Sequence, residues 1–98
     1  MSLTLVATIT PRPDRVDAVR GVLSAAVPEV RQEPGCEVYD LFEDVNGFLF
    51  VERWASEEAL AAHGKSETLT TMLAAITDDL AGPLSVRVLT SLAGDDPV

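Results

Sequence analysis

The chain has 98 residues, 47% apolar but only 5% aromatic, with 7 basic against 16 acidic side chains and a formal charge of -9. That length supports one domain over residues 1–98, a small sheet with a layer of helices and a core of mostly Val, Leu, Ile and Ala. The negative charge argues against nucleic acid and membrane surfaces as partners, and a lone Cys36 rules out an internal disulfide, fits a reducing cytoplasm and, with a single His63, cannot build a four-ligand soft-metal site.

Leu3, Leu5, Ala7 and Ile9 alternate with Thr4, Val6, Thr8 and Thr10, the period of a strand. No basic region precedes this run, so it reads as a strand and not a signal peptide. Pro11 and Pro13 stop it, and Asp14 is placed to cap an amphipathic helix marked by Val16, Val19, Leu23, Val27 and Val30. Pro28 removes the bond to Ser24, which predicts a kink or an end to the regular helix near Val27.

After the breaker Glu33-Pro34-Gly35, Cys36 to Asp44 reads as a second strand, and Asn46-Gly47 is a strong hairpin signal into a third. On that third strand Phe48, Phe50, Glu52 and Trp54 share one face, and Leu49, Val51 and Arg53 share the other. Ser56 offers an N-cap to a short helix ending at His63, with Glu57 and Glu58 in its first turn. Gly64 breaks the helical stretch, and Ser66 caps a second helix whose Leu69, Met72, Leu73, Ile76 and Leu80 mark one face. Leu84 to Leu92 alternates as a last strand, and residues 93–98 read as a frayed acidic tail. No apolar run approaches the ~20 residues that span a bilayer.

The order β, α, β, β, α, β with right-handed crossovers predicts an α+β, ferredoxin-like sandwich, a four-stranded antiparallel sheet with helices on one face. The other face is expected to be the one carrying Phe48, Phe50 and Trp54. That is too much apolar surface to leave in water, so a second copy of the chain is expected to seal it and enclose a pocket between sheet and partner.

The blocks EPGC at Glu33 to Cys36, YDL at Tyr39 to Leu41, FVERW at Phe50 to Trp54 and SEEALAAH at Ser56 to His63 resemble the antibiotic biosynthesis monooxygenase family over nearly the whole chain. The resemblance implies a dimeric α+β barrel with one buried pocket per subunit, in a family of quinol and anthrone oxygenases, haem-degrading enzymes, an isomerase and proteins of no known activity. Trp54 matches the family's strand tryptophan and His63 its helix histidine. Thr68 stands where many members have a second histidine, Phe50 where the anthrone branch has asparagine, and the first strand lacks the asparagine of the haem-degrading branch. Haem is therefore not expected.

Triplet oxygen reacts slowly with closed-shell molecules, so a protein without metal or flavin needs a substrate that donates the electron itself. An ionised quinol or phenol does so, and histidine is the side chain suited to remove its proton near neutral pH. These considerations predict a homodimer that oxygenates a small electron-rich aromatic with O2 and no cofactor. His63 is the candidate base, Trp54 and Tyr39 line the pocket, and Phe48, Phe50, Glu52 and Arg87 contact substrate or one another. Plainer readings stand beside these: His63 as a helix C-cap, Trp54 as packing, Tyr39 at the pocket edge, Glu52 paired with an arginine such as Arg87, and Cys36 as a small apolar residue. A non-catalytic ligand-binding domain and an isomerase working by proton transfer alone are the alternative functions. The enzyme reading requires a cavity of at least ~300 Å³ touching both Trp54 and His63.

Overall fold

A computed structural model describes residues 2–94. Strand β1 (Leu3–Ile9) is followed by helix α1 (Val16–Val30), the hairpin β2 (Cys36–Asp44) and β3 (Gly47–Trp54), helices α2 (Glu57–Gly64) and α3 (Glu67–Ile76), a short 3-10 turn, and β4 (Ser85–Leu89). The four strands form one antiparallel sheet in the order β2-β3-β1-β4, the expected α+β sandwich with its helices on one side. The acidic tail from Asp95 onward lies outside the described residues.

Several local expectations are met. Ser56 and Ser66 accept from the backbone N–H groups of Ala59 and Leu69 and so cap α2 and α3. The hairpin turns at Val45-Asn46, one residue before the Asn-Gly pair, and Gly47 already belongs to β3 at φ 136°, so close to the carbonyl of Ile9 that no side chain fits there.

Others are corrected. Helix α1 runs unbroken through Pro28, because Ala26 and Val30 are buried on the sheet and hold the last turn despite the lost bond. Its N-terminus has no side-chain cap from Asp14; Arg15 occupies that position and pairs instead with Asp79 at 2.9 Å. The last strand is shorter than the alternation from Leu84 to Leu92, ending at Leu89.

The largest correction concerns which sheet face is covered. In the register, Leu5 lies opposite Glu52, Ala7 opposite Phe50 and Ile9 opposite Phe48, and all six side chains are buried within the single chain. The apolar stripes of α1 (Val19, Leu23, Val30) and α3 (Met72, Ile76) need the most apolar sheet face to complete a core, and the aromatic side of β3 supplies it. Phe48, Phe50 and Trp54 are thus covered by the chain's own helices, with no second copy required. The uncovered face carries Val6, Leu49, Val51, Arg53 and the half-exposed Phe42.

Candidate functional site

Three short stretches converge at one end of the core. The first is the turn Glu33 to Cys36, closed by the Cys36 N–H to the Glu33 carbonyl at 3.1 Å, with Pro34 followed by Gly35 at φ 82°. A side chain on Gly35 would collide with Ala59, so glycine is what lets this turn lie against α2, and the Gly35 carbonyl accepts from Ala55 N–H at 2.8 Å. The second is the end of β3, and the third is α2, whose one buried residue is His63. A bulge between Cys36 and Val38 re-aims β2 so that Tyr39 sits opposite Glu52 on the inner face.

His63 is 5% exposed and is held from three directions. Nδ1 lies 2.9 Å from Oε1 of Glu33, the ring stacks on Trp54 with centroids 4.4 Å apart, and Tyr39 meets its edge at 5.6 Å. Nε2 faces Oε1 of Glu52 at 3.9 Å, within ion-pair reach and beyond hydrogen-bonding distance. The Trp54 indole N–H donates to that same oxygen at 3.0 Å. His63 is therefore not the C-cap of α2; its side chain is spent on these partners.

Glu52 is 4% exposed, and burial pushes its carboxyl above the ordinary range, only partly opposed by the Trp54 hydrogen bond and by His63, while Glu33 adds to the rise. Burial, with Glu52 and Glu33 nearby, likewise holds the Tyr39 hydroxyl far above its usual value, so it remains a proton donor. Burial also raises the Cys36 thiol, which suits an unreactive residue.

Beside these groups lies a cavity of about 190 Å³ between sheet and helices. Tyr39, Phe50, Glu52 and His63 line it, with apolar side chains from β1, α2 and α3 and with Leu84 and Val86 at the β4 end. Val86 points to the helix side of the sheet yet is 56% exposed, because no helix reaches over β4; this marks the mouth.

The expected site residues divide accordingly. Tyr39, Phe50, Glu52 and His63 come together on the cavity. Trp54 is fully buried behind them, touching His63 and Glu52 without reaching the cavity wall. Phe48 is packed further along the core with the Arg20 guanidinium 5.8 Å from its ring. Arg87 sits opposite Val6 on the outer face and is exposed, so it is not the partner of Glu52; one residue of strand register puts it on the wrong side. The cavity is smaller than the size expected of it and lacks Trp54 in its lining.

Glu33 was not among the expected site residues, although it begins the EPGC block. Thirty positions separate it from His63, and only the turn's packing against α2 joins them. Among the described residues no group of three His, Cys, Asp or Glu side chains is placed to hold a metal ion. Glu33 and Glu52 address opposite nitrogens of one ring and so do not converge on a single point.

This fold has close counterparts. Residues 2–75 match the family model for antibiotic biosynthesis monooxygenase, and the chain belongs to that family. A Mycobacterium tuberculosis protein named "Putative monooxygenase Rv0793" is 35% identical over 92 residues, covering 92% of this chain and 91% of that protein. Its solved structure superposes with a TM-score of 0.89 at 33% identity, covering 98% of this chain and 100% of the other. The structure of PA3566 from Pseudomonas aeruginosa gives 0.85 at 33% identity, covering 94% and 95%.

Proposed function

We propose that the protein is a cofactor-independent monooxygenase acting with O2 on a small, electron-rich, ionisable aromatic such as a quinol or anthrone. The observation that carries this reading is a buried histidine, anchored by a carboxylate, in the wall of an otherwise apolar cavity. His63, with Glu52 beside it, removes the substrate's hydroxyl proton. The resulting anion supplies the electrons, one oxygen atom enters the substrate, and the other leaves as water with two hydrogens that the substrate gives up, both from the oxidised carbon in an anthrone and including those of the hydroxyls in a quinol. Tyr39, protonated, is the donor for the oxyanion, Phe50 stacks on the ring, and Trp54 holds His63 and Glu52 in place.

Oxygen uptake with a panel of quinols and anthrones tests this. Uptake above the autoxidation blank is expected for the wild type and is lost in His63→Ala; equal uptake by both, or none by either, ends the reading on those substrates. Turnover with no oxygen consumed would instead point to proton transfer alone.

A non-catalytic binding domain is the second reading, favoured by a cavity of about 190 Å³, below the ~300 Å³ of an ordinary small-molecule site. Thr68 does not bear on the choice, since it lies in the groove between α1 and α3 and not on the cavity.

The working form is proposed to be a homodimer in the cytoplasm, joined through the outer sheet face where Val6, Leu49, Val51, Phe42 and Leu89 stand uncovered. Light scattering is expected to give twice the chain's mass, and a mass of one chain would end this. No described helix is long and apolar enough to cross a membrane.

A further inference from the structure

We propose that Glu33, His63 and Glu52 form one proton-transfer chain, in which Glu52 is the group that meets the ligand and Glu33 is a positioning residue that keeps hydrogen on the Nδ1 side of the His63 ring. This deepens the oxygenase reading by dividing the work of its base among three residues.

The geometry fixes the direction of the chain. An ionised carboxylate only accepts, so the 2.9 Å contact to Glu33 favours hydrogen on Nδ1, which in the neutral ring leaves Nε2 bare. Nε2 faces Glu52 at 3.9 Å, and contacts of this kind that are long without a ligand tighten when one binds. Glu52 and His63 both reach the cavity and Glu33 does not. Trp54 fixes the other two members at once, its ring stacked on His63 and its N–H donated to Glu52.

The other groups around Glu52 are Tyr39 on β2, and Cys36 and Glu33 on the turn before it; β1 presents only Leu5. Oε2 of Glu33 is buried with no hydrogen-bond partner. That is an expensive arrangement if Glu33 only filled space, and it is accounted for if the carboxylate serves His63.

In use, the ligand's O–H bond breaks and its proton bonds to ionised Glu52, which passes it to Nε2. The result is a ligand oxyanion, ionised Glu52 and an imidazolium held against Glu33.

The sequence supplies two unique reporters, since the chain contains one histidine and one tryptophan. Nitrogen-15 NMR of the wild type is expected to show the Nδ1–H tautomer of His63 at mildly alkaline pH, and to show the His63 ring and the Trp54 indole titrating along shared curves. Glu33→Gln is expected to raise the ratio of Nε2–H to Nδ1–H by about tenfold or more, as befits loss of a charge-assisted hydrogen bond. Glu33→Asp, a second variant should the first fold poorly, is expected to move the ratio the same way by less.

An unchanged ratio in the variant that folds overturns the proposal, as do ring and indole midpoints that are independent of each other. Neither readout needs turnover. A protein that consumes no oxygen on any quinol tried ends the oxygenase reading and leaves this one to the spectra.

Discussion

Trp54→Ala is expected to lower the free energy of unfolding by about 3–5 kcal/mol, the usual loss for a fully buried large aromatic. Trp54 is 0% exposed, and its removal strips the stacked face of His63 and the hydrogen-bond donor of Glu52 together. A domain of this size has a total stability of only about 5–15 kcal/mol, so the variant is poorly folded at moderate temperature. Urea denaturation measures it. Trp54→Phe separates the causes: it keeps most of the ring, loses the indole N–H, and is expected to cost about 1–3 kcal/mol for the acceptor left unpaired. A Trp54→Ala variant within about 1 kcal/mol of wild type would mean that this corner of the core is not packed as described.

Glu52→Gln is expected to move stability and activity in opposite directions. Burial raises the folded-state pKa of Glu52 above the ordinary 4.5, so the folded chain binds that proton more tightly than the unfolded chain does. Its favourable contribution is complete below the ordinary range and is lost as pH rises through the raised value. Glutamine keeps a carbonyl oxygen for the Trp54 indole and carries no charge to bury. The variant is therefore expected to be more stable than wild type at neutral pH, by on the order of 1 kcal/mol, with the difference fading toward pH 4.5. Oxygen uptake on a substrate the wild type accepts is expected to fall by about 10²–10⁴-fold, the usual contribution of a positioned acid or base. Denaturation at several pH values checks the first half. A variant destabilised at neutral pH would show Glu52 to be a structural counterion of a charged His63.

Much of the fold was legible in local pattern. The alternation of β1, the break between β2 and β3 at Val45-Asn46-Gly47 and the serine caps of α2 and α3 are short-range signals, each with a physical cause confined to a few residues. The element order and the family blocks then carried the topology. Which sheet face the helices cover was not legible from β3 alone, because a strand with aromatic residues on one side looks the same whether they meet a helix or a partner. The apolar stripe of α1 held the missing information: Val19, Leu23 and Val30 need a matching face, and Phe48 and Phe50 are the best match available.

The site was legible in part for the same reason. Phe50 and Glu52 follow from the parity of β3, His63 from its being the one histidine, and Tyr39 from the family blocks, since the bulge after Cys36 breaks the parity of β2. A buried carboxylate suggests a cationic partner such as Arg87, whereas Glu52 meets the Trp54 N–H and His63. Glu33 escaped notice because its role depends on a turn docking against α2, a contact across the chain that no local periodicity encodes.

The entrance beside β4 and the acid–base wall belong to separate stretches of chain. Leu84 and Val86 border the opening, while Glu33, Glu52 and His63 sit on elements formed earlier in the sequence. Smaller or larger side chains at 84 and 86 would reshape the opening without touching Glu33, Glu52 or His63. One scaffold thus allows the size of its opening and its buried polar groups to be adjusted independently.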